Sequence, residues 1–254
     1  MSTPPPHAAT VSAVVLLDIE PRGVGEYLSR ISPQLQAKVD QTPPLADLLA
    51  LGLTINGSDV MVRTEQAPME HDGLSYAIAQ SPVRQLLEPA VAGHRGWVEV
   101  TISQITDPHS AQRTLSGVTA AIAGGAYAVA VYLPHQYRAT TQVLYVGEAA
   151  QRLAQTWFWA PAMWLDQQQG VSHAFTEGLA VLGGLEVQYS NVPADPAEVF
   201  RRLRSTVAEV LETGSVPQAG LGADIDGVPH QFVPGTDRIR NIPVLDLLPA
   251  PASH

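Results

Sequence analysis

Between Asp195 and Gly214 the apolar positions recur with the period of a helix. Val199, Phe200, Leu203, Val207, Val210 and Leu211 fall on one side, while Arg201, Arg202, Arg204, Glu209 and Glu212 fall on the other. Asp195 stands where an N-cap belongs, Pro196 takes the first helical position, and Glu198 completes an Asp-x-x-Glu variant of the capping box. Gly214 supplies the stop. The pattern predicts a helix of about 18 residues, roughly 27 Å long, enough to cover a small sheet. Ahead of it, Leu185 to Tyr189 alternates apolar and polar residues, as a strand with one wet face does.

The same reading, taken from the start, gives a disordered lead over 1–11 and a buried strand over Ala13 to Ile19. A helical pattern follows over Gly23 to Leu35, and Thr42-Pro43-Pro44 marks a break. Leu51 to Ile55 and Asp59 to Thr64 read as strands joined by Asn56-Gly57, the dipeptide of a type I′ hairpin. Gln66 to Ser81 reads as a polar loop with a short apolar stretch. Pro82 opens a helix that Pro89 kinks or ends. Gly96 to Ser103 alternates as a strand, Ala126 to Leu133 is a buried strand, His135 to Thr141 a loop and Val146 to Ala154 a short helix. Trp157 to Leu165 is extended, with Trp157 and Trp159 on one face. Val228 to Val233 is the last strand before a Pro-rich tail over 241–254.

One pattern returns. Gly96-Trp97-Val98-Glu99-Val100, Ser103 and Asp107-Pro108 with the helix up to Gly124-Gly125 echo Gly184-Leu185-Glu186-Val187, Ser190 and Asp195-Pro196 with the helix up to Gly214. The predicted fold class is therefore α+β, with helices packed on a mainly antiparallel sheet. The echo leaves room for a duplicated βαββαβ-like, ferredoxin-like unit: one domain over 12–240, with pseudo-repeats at 12–134 and 135–240.

Composition narrows the functional classes. The 254 residues contain no cysteine, which excludes disulfides, thiol nucleophiles and Cys-ligated metal centres. No run is apolar enough to span a membrane, and the N-terminus has no secretory pattern, so the expected setting is soluble and cytoplasmic. The formal net charge is −10 and Lys38 is the only lysine, which argues against nucleic acid as a partner. An acidic face docking a basic protein is the sharper reading of that charge, solubility alone the plainer one.

Catalytic signatures are missing or incomplete. Gly23-x-Gly25 lacks the third glycine of a dinucleotide fingerprint, because Leu28 holds that position. Asp224-Ile225-Asp226-Gly227 misplaces the glycine of a calcium loop and reads as a turn. Around Ser75 and Ser172 the sequence approaches a nucleophile elbow without its last glycine or its strand-to-helix setting. His173 and Glu177, on one face of an extended segment, would lie about 13 Å apart, too far for one metal ion. Neither a metal nor a cofactor is expected.

At Thr176-Glu177-Gly178-Leu179 and Gly183-Gly184-Leu185-Glu186-Val187 the chain resembles the bacterial domain-of-unknown-function 4261 family, with Ala13 to Leu17, His94 and Ala128 to Tyr132 in the family's order. The Trp157-Phe158-Trp159 run and the Gly-rich end depart from it. The resemblance brings no catalytic residues. It implies a companion of bacterial contact-dependent toxins and secretion systems, in an immunity or adaptor role.

These readings converge on a non-catalytic cytoplasmic protein that binds another protein, in its most specific form an immunity protein occluding a toxin. The candidate contact residues are Glu65, Glu70 and Asp72 in one acidic loop and Asp224 and Asp226 in another; self-association into a homo-oligomer is compatible with both. The alternative is an enzyme or small-molecule binder built on Trp157, Trp159 and Trp164 with His173 and Glu177.

Overall fold

A computed structural model describes residues 10–31, 48–166, 168–237 and 240–251; most of the predicted lead and the Thr42-Pro43-Pro44 break lie outside them. The chain divides into two compact units, 1–156 and 157–254, each holding one six-stranded sheet. The class is α+β with mainly antiparallel sheets, as the patterning predicts.

In the first unit the strands are β1 (Thr10–Leu17), β2 (Ala50–Ile55), β3 (Ser58–Glu65), β4 (Gly96–Ser103), β5 (Ala128–Leu133) and β6 (Arg138–Thr141), in the order β2-β3-β4-β1-β5-β6. Every neighbouring pair is antiparallel. β1 is central, and its residues of both parities are buried, so both faces of the sheet are covered. Val14 and Leu16 pack under α2 (Asp72–Gln80) and α3 (Arg84–Ala92), through Leu74, Ala77, Leu87 and Val91. The opposite face, with Ala13, Val15 and Leu17, receives α4 (Pro108–Ala123) through Leu115, Val118 and Ile122. Each fully buried Leu or Ile there contributes roughly 1.5–3 kcal/mol. α1 (Gly25–Ile31) and α5 (Gln142–Gln151) pack against α4, and α5 also reaches β5 and β6.

The hairpin between β2 and β3 forms as its dipeptide requires. Asn56 and Gly57 both have positive φ, at 51° and 77°, and Ile55 pairs with Ser58. After β3 the expected loop runs only to His71, and the short apolar stretch that follows is the helix α2. His71 caps it by accepting from Gly73 N–H at 3.1 Å, and a histidine cap carries no strong sequence signal. Pro89 sits inside α3 without ending it, and part of the predicted 135–141 loop is the edge strand β6.

The second unit orders its strands β10-β11-β12-β9-β8-β7: β7 (Ala162–Asp166), β8 (Val171–Phe175), β9 (Val187–Val192), β10 (Gly222–Ile225), β11 (Val228–Thr236) and β12 (Pro243–Pro249). β12 runs parallel to β9, and the other neighbours are antiparallel. α6 (Pro196–Glu212) covers one face with Val199, Leu203, Val207 and Leu211. Asp195 caps it by accepting from Glu198 N–H at 3.0 Å, and Gly214 follows with φ 81°. Pro243–Pro249, expected within a Pro-rich tail, forms a strand because both prolines fall at its ends and Val244, Leu245 and Leu247 are buried between them. The echoed strand and capped helix are present in both units, as β4 with α4 and β9 with α6, set in sheets of different order.

Candidate functional site

Three of the five predicted contact residues stand along the β3–α2 connection: Glu65 ends β3, Glu70 lies in the loop and Asp72 opens α2. The loop is held from below. Met69 N–H donates to Nε2 of His94 at 2.7 Å, which leaves Nδ1 as the protonated nitrogen, donating to the Val91 carbonyl. His94 is buried between the end of α3 and β4. Gln66 Nε2 adds a bond to the Pro21 carbonyl at 2.9 Å. On the outside, Glu70 and Asp72 are exposed, and neither side chain meets a partner among the described residues. Glu65 is half-exposed and loosely paired with Arg63 at 3.8 Å.

Two tyrosines border this loop. Tyr76, one helical turn after Asp72 on α2, meets Tyr137 edge to face with ring centroids 6.0 Å apart; the two are 55% and 57% exposed. Tyr137 holds φ 47° between a short 3-10 turn (Pro134–Gln136) and β6, which directs it outward. Beneath, the Tyr132 hydroxyl lies 2.5 Å from where a Cβ on Gly73 would stand, so that position admits only glycine without a shift. Two exposed carboxylates thus stand beside two exposed tyrosines, whose rigid rings lose little entropy when covered.

Asp224 and Asp226 occupy the β10–β11 turn of the second unit. Asp224 accepts from Gly227 N–H at 2.8 Å, and Asp226 and Gly227 have positive φ, at 52° and 82°. The segment is thus the turn that its sequence suggests. Asp226 is not a free charge. Arg202 Nε lies 2.9 Å from it and Arg201 3.4 Å away, and both arginines also bind Glu198. The Arg201 hydrogen bond leads in holding the Glu198 carboxyl down to about 2. Two carboxylates balanced by two guanidiniums give this turn a different character from the Glu65–Asp72 loop.

The tryptophans of the alternative reading have three different surroundings. Trp157 is fully buried, Trp159 is half-buried with its ring 5.7 Å from Phe200, and Trp164 is 39% exposed on the edge strand β7. His173 is buried and stacks on Phe175, and its Nδ1 lies 2.7 Å from the Ser190 hydroxyl. Glu177 pairs with Arg240, whose guanidinium also holds Asp237 at 2.7 Å and covers the Phe175 ring. Burial raises the Glu177 carboxyl above its ordinary value, against the pull of Arg240 and with the repulsion of Glu186 and Asp237. A shallow hollow of about 290 Å³ on this unit lies elsewhere, between α6 and β10, beside Thr206, Val210 and Leu221.

The Thr176–Val187 motif has a structural explanation. Glu186 accepts hydrogen bonds from the Thr176 hydroxyl at 2.7 Å and from the N–H groups of Gly178 at 2.9 Å and Ala180 at 3.3 Å. Thr176 Oγ1 in turn accepts from Val187 N–H. The glycines at 178 and 183 turn the chain with φ 115° and 78° around the short helix Leu179–Leu182. One carboxylate therefore closes the loop from within.

A second polar group lies inside the first unit. Arg138 and Glu148 meet at 2.6 Å with side chains 2% and 15% exposed, and the Tyr145 hydroxyl sits among Ser116, Thr156 and Thr119. His135, next to Gln112 and Gln136, is pushed by burial down to about 4. Among the described residues no three His, Asp or Glu side chains are placed to hold a metal ion, and no helix is long and apolar enough to cross a membrane. Compared with protein-family models, with curated proteins and with solved structures, the chain matches none.

Proposed function

We propose that the protein binds another protein without catalysis, and that the Glu65–Asp72 loop with Tyr76 and Tyr137 is its contact surface. The observation that carries this reading is the pairing of unpartnered exposed carboxylates, Glu70 and Asp72, with a backbone pinned by His94. A pre-ordered loop loses little entropy on docking, and its charge steers a basic partner towards the tyrosines. Its most specific form is a cytoplasmic immunity protein that covers the basic active-site rim of a toxin. Asp224 and Asp226 are secondary in this scheme, since Asp226 already serves Arg201 and Arg202.

The test is capture of a partner by the full chain, in the native host and by co-expression with the products of neighbouring genes. A basic partner is expected whose binding falls at least tenfold in Glu70→Lys/Asp72→Lys and in Tyr76→Ala, and whose association slows as salt is raised. If no stable partner is captured, or if the captured one is indifferent to both variants, the reading fails.

A further inference from the structure

The four strands at the sheet edges differ in their protection against pairing with another chain. β6 and β10 are four residues long and carry Arg138 and Asp224, and β7 has a register shift between Trp164 and Asp166. Short length, charge and bulges are the usual defences of an edge. β2 has none of them. Its six residues, Ala50-Leu51-Gly52-Leu53-Thr54-Ile55, contain no charge and no proline, and their register with β3 is unbroken.

The β2–β3 turn fixes which backbone groups face outward. Ile55 and Ser58 flank a two-residue loop and form its hydrogen-bonded pair, so alternation points Leu51, Leu53 and Ile55 at β3. The N–H and C=O groups of Ala50, Gly52 and Thr54 then face the open edge, and none of the three bonds elsewhere among the described residues. Side chains alternate the other way about the sheet. Leu51, Leu53 and Ile55 lie half-buried on the face of Val60 and Val62, while Ala50, Gly52 and Thr54 are exposed on the other.

We propose that β2 pairs with β2 of a second copy of this chain, antiparallel about a two-fold axis through Gly52, to make one continuous sheet. The strand is complementary to itself in that register. Gly52 meets Gly52 of the second copy and Ala50 meets Thr54, all with outward-facing backbone groups, while Leu51 meets Leu53 and Leu49 meets Ile55 on the apolar face. Leu49, 49% exposed in the single chain, gains an apolar neighbour. Charge also selects this occupant. In a chain of net charge −10, the uncharged run from Leu48 to Ser58 lets two copies approach along this edge without opposing carboxylates. A contact of one strand is small, so the dimer forms in the micromolar range. The proposal does not depend on what the acidic loop binds.

The chain has no cysteine, which makes a direct test available. Hydrogen-bonded antiparallel partners lie about 5.5 Å apart at Cα, within disulfide reach, so Gly52→Cys is expected to cross-link two copies rapidly on mild oxidation. Tyr127→Cys, also exposed but away from β2, serves as the control. Sedimentation of the unmodified chain across the micromolar range should show a monomer–dimer equilibrium, weakened at least tenfold by Gly52→Lys or Thr54→Lys. Gly52 has ordinary room for a side chain, its nearest neighbour being Met61 Cε at 3.8 Å. Amide exchange at Ala50, Gly52 and Thr54 should slow as concentration rises, a readout that needs no variant. A monomer at every concentration, or a dimer in which those amides exchange freely and Gly52→Cys links no faster than the control, overturns the proposal.

Discussion

Met69 and His94 are joined by a hydrogen bond of 2.7 Å from a backbone N–H to a buried imidazole, across 25 residues of sequence. The histidine supplies both the acceptor for the loop and a donor for the end of α3, so one ring sets the height of the acidic segment above the sheet.

Replacing His94 with alanine leaves Met69 N–H and the Val91 carbonyl without their partner. A loss of about 1–3 kcal/mol in urea unfolding is expected, with faster amide exchange at Met69 than at the β4 amides. Unchanged exchange at Met69 would show that the loop is held by something else.

Glu186 does for the second unit what His94 does for the first. Glu186→Ala removes three charge-assisted bonds to Thr176, Gly178 and Ala180 and should cost roughly 2–4 kcal/mol, whereas Glu186→Gln, which keeps an acceptor, should cost less. Thermal melts of the two variants rank them. Equal losses would mean that the loop depends on side-chain volume, not on the carboxylate.

The N-terminus of α6 and its flank should respond unequally. Asp195→Ala removes the cap on Glu198 N–H and is expected to cost about 1 kcal/mol. Asp226→Asn weakens an exposed pair with Arg201 and a half-exposed one with Arg202, and should change stability by less than about 1 kcal/mol. Denaturation midpoints measured at low and high salt separate them, because the ion pairs are screened more fully than the cap's hydrogen bond.

Acid should loosen the first unit through His135. Its imidazole is held neutral, with a folded value of about 4 against an ordinary 6.5, so the folded state binds fewer protons than the unfolded one in that window. Stability is therefore complete above about pH 6.5 and declines as pH falls towards 4, by roughly 1–3 kcal/mol for this group. The difference between the pH profiles of the unaltered chain and His135→Gln isolates the contribution from that of titrating carboxylates. Parallel profiles would remove His135 as the cause.

Much of this architecture is legible in local sequence, wherever a turn or cap residue enforces it alone. Asn56-Gly57, Asp107-Pro108 and Asp195-Pro196 announce the hairpin and the starts of α4 and α6, and each forms where its dihedral and donor requirements place it. The misses depend on distant partners. α2 is too short for its period to stand out and is capped by a histidine, and β12 is flanked by prolines and joins the sheet between β11 and β9, the latter some 58 residues earlier. The same division runs through the candidate site. The acidity of Glu65, Glu70 and Asp72 is visible in the sequence, but the His94 anchor and the meeting of Tyr76 with Tyr137 arise from the fold. Arg201 and Arg202 were visible as the polar face of a helix, while their engagement with Asp226 depended on where the β10–β11 turn lands.

β12 lies between β11 and β9, so the β10–β11 hairpin reaches β9, β8 and β7 only through residues 243–249. A nascent chain that has emerged from the ribosome as far as Thr236 holds two fragments of a sheet with no seam between them, each exposing strand edges. The first unit, whose strands are all complete by Thr141, is by then free to fold. The interval between those two events is when the strand edges of the second unit stand unpaired.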